Sequence, residues 1–490
     1  MTDIPDPRFR LPHNYSINPP LSVDEGPARG VLFGQNAERA SVEAIFVGKH
    51  AETPNRGVWM DVRGAHVLYV MGKRRSGKSY TLGAIAEGLV SNTWVHQGTD
   101  KQAVLILDTM NVFLTMPFSA GDTYADASDQ YKESAKWELK PETPPLTMFA
   151  PAGTTLPPDV PAQRVTLRAS DLGPEEWCGL FEIDPFVDPM GHLLTSLYAK
   201  LTLEGVADRV TGKQFPPLTH FTIAEMIQAI DRDTALASFA QDTRDALVRR
   251  LQALASTALF GSDGLDIRDL LRPGRIAVLL LRDLDAGMRA VMVSLIVKKM
   301  MQLRAVSEQQ ERMIPVHEAR ADKARATDKQ KAEVELAKAR TCLERAKEGL
   351  PRSWLIIDEA HNYVPAKSSV PSRKPLKKYV DEGRNLGLSI VVATQQPSGL
   401  DPSIQRNADM LLIHSLSHHD DIAAALGMIN TGEPESVVVD GKQTYTGGNI
   451  AEALIRALPS GYALVSTDKA NRLFPIRIRP RLTVHGGSDY

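Results

Sequence analysis

The feature that most constrains this chain is the run Gly72-Lys73-Arg74-Arg75-Ser76-Gly77-Lys78-Ser79, which fits G-x-x-x-x-G-K-[ST] without a gap. It follows HVLYVM (66–71), an uninterrupted apolar run of strand length, and precedes LGAIAEGLV (82–90), which is spaced as a helix. A buried strand, a glycine loop and a helix in that order make a phosphate cradle. The glycines let successive N–H groups face an anion at a helix N-terminus, whose dipole favours negative charge. Lys78 is expected to reach the β- and γ-phosphates of ATP and Ser79 to offer its hydroxyl to magnesium. The expected nucleotide contacts are Gly72, Lys73, Arg74, Arg75, Ser76, Gly77, Lys78, Ser79 and Tyr80. The plainer alternative, a glycine-rich turn with a surface lysine, does not explain the strand before it and the helix after it.

A second constraint is Trp354-Leu355-Ile356-Ile357-Asp358-Glu359, an apolar strand that ends in two carboxylates. At the C-terminal edge of a parallel sheet, such an end points at the crevice where ligands bind. Asp358 is expected to hold magnesium through water and Glu359 to orient and deprotonate an attacking water. Gln395 follows the strand LSIVVAT (388–394) on the same edge, where its amide can sense a γ-phosphate or cap a loop. Asp108 ends the strand AVLILD (103–108) and is open to two readings, a site carboxylate or a helix cap.

Buried strands recur at RIAVLLL (275–281) and MLLIH (410–414), with helical stretches between them. That alternation predicts an α/β fold with a mostly parallel sheet covered on both faces. The expected division is an N-terminal arm and small β-barrel-like subdomain over 1–62, core over 63–114, and a loop and helical insertion over 115–265. Core continues over 266–304, a charged helical arm covers 305–350, and core with two C-terminal strands fills 351–490. Within the insertion, Pro, Asp, Ser and Thr across 115–165 predict a long surface loop. The Ala-, Lys-, Arg- and Glu-rich run 318–348 predicts a solvated helical arm, half of a hairpin or coiled coil. It is either a docking surface or a surface insertion that touches nothing.

With 43% hydrophobic and 24% charged residues, the 490-residue chain has the balance of a globular protein with a sizeable core. A net charge of -2 advertises neither nucleic acid nor membrane, so any polyanion must be held by local patches. Cys178 and Cys342 match no metal or disulfide pattern. The start, MTDIPDPRFRLPH, is unlike a signal peptide, and no apolar run approaches the roughly 20 residues of a spanning helix. A cytoplasmic location is expected. The best local patch directly follows the carboxylate pair: Lys367, Arg373, Lys374, Lys377 and Lys378, with no acid from His361 to Val380. It suits gripping DNA phosphates without sequence readout, or it is merely solvated. Arg472, Arg477, Arg479 and Arg481 add charge in the tail. Arg384 and Arg406 lie outside the loop. Each is either a surface ion-pair partner or an arginine that acts on the nucleotide of a neighbouring subunit.

The stretches GKRRSGKS, AVLILD, DLLRPGRIAVLLL, SWLIIDEAHNYVP, DEGRNLGLSIVVATQQPSGLDPSIQRNADMLLIH and RPRLTVHGG, in that order, resemble the HerA-like ATPases of the HerA/FtsK superfamily. DEAH alone occurs in another helicase superfamily; GRNLGLSIVVATQQP is the discriminating piece. The resemblance implies a RecA-like P-loop core, a small N-terminal β-barrel, a helical insertion, and a hexameric ring with ATP at its interfaces and double-stranded DNA in its pore. It equates Lys78 and Ser79 with the Walker A pair and Asp358 and Glu359 with the Walker B pair. It also equates Asp108 with an acidic residue after the second strand, Arg384 with the trans-acting arginine and Gln395 with the sensor glutamine. Partners implied are an end-resection nuclease or, in bacterial anti-phage systems, a nuclease or a sirtuin-like NAD hydrolase. The chain departs in three places. The barrel region is short, so the barrel is incomplete or finished by C-terminal strands. TMNVF (109–113) replaces a Pro-His-Gly-Glu-like turn, and the charged arm is an addition before the Walker B strand.

Overall fold

Five-residue runs with no polar interruption bury both their faces, and that forces them to the middle of a sheet. In the computed structural model, Val67–Met71, Ser353–Ile357 and Ile276–Leu280 are buried at every position. The structure describes residues 21–22, 30–34, 43–51, 56–91, 95–96, 102–121, 125–429, 436–439, 443–446, 450–467 and 472–486. Eight parallel strands run side by side: Met410–Ile413, Val67–Met71, Leu388–Thr394, Ser353–Ile357, Ala103–Asp108, Ile276–Leu280, Leu146–Pro151 and Ala162–Val165. Alternation along each strand splits the core into two layers. Val67, Tyr69 and Met71 face one, whereas Leu68 and Val70 face the other. The helix Lys78–Val90 covers the second layer through Leu82, Ile85 and Leu89.

Beyond Met410–Ile413 the sheet turns antiparallel. Tyr462–Thr467 pairs with it, Arg472–Ile478 follows, then Ala44–His50 and Gly57–Asp61. The N-terminal strands are therefore present, but they continue the central sheet rather than closing a barrel of their own. The C-terminal strand supplies the bridge that local sequence spacing cannot show. Most of the proline-rich arm before Gly30 lies outside the described residues.

Two further expectations need correction. The long loop expected over 115–165 instead holds the helix Ala125–Lys136 and two of the parallel strands. Its prolines and hydroxyl residues obscure the apolar run LTMFAP, which is buried over its last four positions against Ile276–Leu280. The expected boundary at 304 between core and arm falls inside one helix, Ala286–Arg325, of 40 residues and about 60 Å. After a short turn capped by Asp328, the helix Lys329–Ala346 packs back along it. The charged run is thus the second half of a hairpin. Small residues Ala321, Ala324, Ala332 and Ala339 line its buried seam, and Ser307 donates to the Ala346 carbonyl at 2.7 Å.

Candidate nucleotide site

The loop 72–77 leaves the end of Val67–Met71 and turns into the helix beginning at Lys78. Gly77 has φ 106, a conformation that a side chain would strain. Gly72 is needed for space, since a Cβ there would come within 2.6 Å of His414 Cβ and 2.5 Å of Ser76 Oγ. The helix start has no side-chain cap and no acid in its first turn, which leaves its amides and positive dipole end for an anion. Lys78 is buried and its ammonium donates to the Lys73 carbonyl at 3.1 Å. Burial lowers its pKa, opposed by the charges of Asp358 and Glu359. Ser79 donates to Asp358 Oδ2 at 2.7 Å. Lys73, Arg74 and Arg75 are exposed on the outer rim.

The sheet order explains the rest of the site. Leu388–Thr394 lies between the loop strand and Ser353–Ile357, so its end falls between the lysine and the acids. Gln395 leaves that end, and its amide Nε2 donates to Glu359 Oε1. Glu359 adopts φ 51, an uncommon left-handed conformation for a side-chain residue that costs roughly 1–3 kcal/mol and gathers at functional sites. Its Oε2 is buried without a hydrogen-bond partner among the described residues, 3.4 Å from His361 Nδ1. That histidine bonds Thr394 Oγ1 at 2.9 Å, and its own pKa is lowered by burial. No cluster of three or more His, Cys, Asp or Glu able to hold a metal occurs among the described residues. One hydroxyl and one carboxylate fit magnesium as it is commonly held, with substrate phosphates and water completing the shell.

A family model described as "Helicase HerA, central domain" matches residues 65–300, which begin just before the loop strand and include the helical insertion. VirB4 of Thermoanaerobacter pseudethanolicus superposes with a TM-score of 0.50 at 13% identity, over 91% of this chain and 98% of that one. Residues 65–300, just under half of the chain, are thus similar to the HerA central domain, and the fold as a whole is similar to that of VirB4. The bacterial conjugative coupling protein TrwB, unbound, gives a TM-score of 0.47 at 12% identity, over 93% and 98%. TrwB in complex with ADP and Mg2+ gives 0.46 at 13%, over 92% and 98%. Among curated proteins nothing matches.

Within this site Asp108 is occupied as a cap. Its carboxylate accepts the amides of Met110, Val112 and Phe113 at 3.1, 3.1 and 2.8 Å, ordering the turn that follows. Burial raises its pKa to about 6, against the pull of those amides. Tyr80 turns away from the loop: its hydroxyl accepts from the Arg481 amide at 2.8 Å and its ring meets His485 edge-on. His414 is the residue that sequence reasoning missed. It is fully buried, bonded to Thr81 Oγ1 at 3.1 Å and to the Tyr462 carbonyl at 2.8 Å, and packed under Gly72. Burial and then Lys78 lower its pKa to about 4, so it stays neutral beside the cradle. Only its place at the end of MLLIH hinted at the site.

The cations behave less uniformly than their sequence suggests. Arg373 pairs with buried Asp401 at 2.8 Å, and Lys377 lies 3.7 Å from the same carboxylate. Lys378 sits 3.8 Å from Glu382, whereas Lys367 and Lys374 are exposed with no ion pair among the described residues. Arg479 and Arg481 are wholly buried around Glu87, and Arg477 pairs with Glu133 over the Trp137 ring. The tail arginines are therefore structural, except Arg472, whose side chain lies outside the described residues. Arg384 is exposed at the opposite edge of the sheet. It lines a cavity of about 330 Å3 with Arg63, Arg304, Arg312 and Arg352, next to residues that precede the strands. It cannot reach its own phosphate loop. Arg406, exposed on the short helix Pro402–Asn407 ahead of Met410–Ile413, is also apart from the cradle.

Proposed function

We propose that this chain hydrolyses ATP with magnesium, and that a hexameric ring of it uses that energy to move along double-stranded DNA beside an effector enzyme. The observation that carries the reading is the convergence of Lys78, Ser79, Asp358, Glu359 and Gln395 at one sheet edge, with Glu359 Oε2 accepting no hydrogen bond among the described residues. In that role the loop amides and Lys78 bind the triphosphate, and Ser79 and Asp358 hold magnesium. Magnesium, when bound, neutralises charge on the phosphate oxygens. Glu359 Oε2 takes a proton from water, while Gln395 fixes the carboxylate through its other oxygen. Arg384, at the far edge, serves the nucleotide of the adjacent subunit, which is why it need not approach its own; Arg406 is the second candidate. The effector is a nuclease or a sirtuin-like NAD hydrolase, as in anti-phage defence. No helix among the described residues is long and apolar enough to cross a membrane.

A second reading is an assembly platform, in which nucleotide state organises the effector without DNA movement. The capture of Arg373 and Lys377 by Asp401 favours it, because fewer cations remain for phosphate contacts. ATPase rates with and without duplex DNA separate the two. A motor is stimulated by DNA and loses that stimulation when Lys367 and Lys374 are both changed to Ala. A platform responds to the effector and ignores DNA.

A further inference from the structure

The most exposed large hydrophobic side chains among the described residues are Phe186 at 83%, Leu203 and Val210 at 77% each, and Val187 at 76%. All four belong to the helical insertion, far in sequence from the catalytic residues. They gather at two ends of one helical stretch, Pro189–Ala199 continued by Lys200–Glu204. Phe186 and Val187 stand just before its start, and Leu203 and Val210 lie at its finish. The helical rise separates the two ends by roughly 20 Å. Apolar residues scattered singly on a surface need no explanation, whereas neighbouring ones can mark contact sites.

The first end is a rigid knob. Asp184 Oδ1 accepts the amides of Phe186 and Val187 at 2.7 and 3.1 Å, and Asp188 accepts the Asp184 amide at 2.6 Å. His192 Nε2 bonds the Phe186 carbonyl at 2.8 Å. Gly191 lets the loop lie directly on the helix, since a Cβ there would fall 2.3 Å from the Asp184 carbonyl. The aromatic ring is thus held out toward solvent by a loop whose ordering cost is already met within the fold.

The second end is a hole. Leu201, Val206, Phe215, Pro216, Leu218 and Ala229 line a mostly apolar cavity of about 210 Å3 between the hairpin Val206–Ala207/Gln214–Phe215 and the helix Ile223–Arg232, with Asp208, Glu225, Gln228 and Arg232 completing its lining. An apolar cavity of about 150 Å3 is enough to take up benzene. Knob and hole cannot meet within one chain, because the helix holds them apart. Exposed Glu182 beside the knob and exposed Lys213 beside the hole carry opposite charge, and neither has an ion pair among the described residues.

We infer that Phe186 of one copy seats in the Leu201–Phe215–Ala229 cavity of the next copy. The contact is head-to-tail, so repeating it closes a ring or extends a filament, and the buried aromatic is its energetic anchor. This inference rests on the homo-oligomeric reading above and specifies how the copies touch.

The test is mass photometry of the full chain with ATP, using Phe186→Ser/Val187→Ser to remove the knob and Gln228→Trp to cover the cavity mouth. Both changes fall on exposed positions, and ATP binding by each variant confirms that the fold and the phosphate loop are intact. Each variant alone should need at least tenfold more protein to assemble than the wild type. Their equimolar mixture should give dimers and nothing larger, because only one knob and one hole remain competent. Variants that assemble like the wild type would overturn the knob contact while leaving the ring standing. Variants that stay assembled but lose an effector's binding would reassign the knob to that partner and also overturn the contact. A mixture that remains monomeric would rule out head-to-tail seating, and a wild type that stays monomeric with ATP would remove the ring itself.

Discussion

In the proposed reaction Lys78 serves binding and Glu359 serves chemistry, and single substitutions should separate them. Lys78→Ala removes the buried ammonium inside the loop, so nucleotide affinity should vanish in a fluorescent-nucleotide titration. Glu359→Gln keeps the shape and its hydrogen bond to Gln395 but cannot take a proton. ATP should still bind, while steady-state turnover drops by about 10²–10⁴-fold. Normal turnover in that variant would show that another group is the base. His414 makes a pH prediction. Its folded pKa of about 4 lies below the ordinary imidazole value of 6.5, so between those values the unfolded chain binds more protons than the folded one. Stability contributed by the neutral ring is complete above pH 6.5 and is lost as pH falls toward 4, on the order of 3 kcal/mol. Unfolding midpoints measured across that window should fall in the wild type and change less in His414→Gln.

At the level of elements, the helix after the phosphate loop is tied to the C-terminal segment by one buried acid. Glu87 receives Arg479, Arg481 and the amides of Leu482 and Thr483, all inside the fold. Glu87→Ala would strand two guanidinium groups away from water, and breaking such a buried pair costs about 3–5 kcal/mol. Thermal unfolding should show a large drop, with greater loss than any surface salt bridge on the arm. These arginines look like a basic tail in the linear chain. Their partner lies nearly four hundred residues upstream, so no local pattern could have revealed that they are internal. The same limit applies to Leu146–Pro151, whose place in the sheet depends on a neighbour, Ile276–Leu280, more than a hundred residues away.

For the whole molecule, Arg384 gives the sharpest expectation. It sits at the sheet edge opposite its own cradle, so any catalytic role must be exercised on another subunit. Arg384→Ala should bind ATP normally and lose about 10³–10⁵-fold in turnover. Mixing it with Lys78→Ala should restore part of the activity, because some interfaces then combine an intact cradle with an intact arginine. If the mixture stays as inactive as its components, the arginine does not act in trans.

The loop at 72–79, the acidic strand end and the buried strands around them were legible in the sequence, because each is a local pattern whose chemistry depends on neighbours in the chain. Glycine spacing curls a backbone, and an apolar run ending in carboxylates must place them at a strand terminus. Tertiary structure alone decided that Gln395 lies beside Glu359, that His414 supports the loop, and that N-terminal and C-terminal strands share the central sheet. It also turned Arg479 and Arg481 into core residues and Arg373 into the partner of Asp401. Charge and strand pairing act through space, so their partners are known only once the chain has folded.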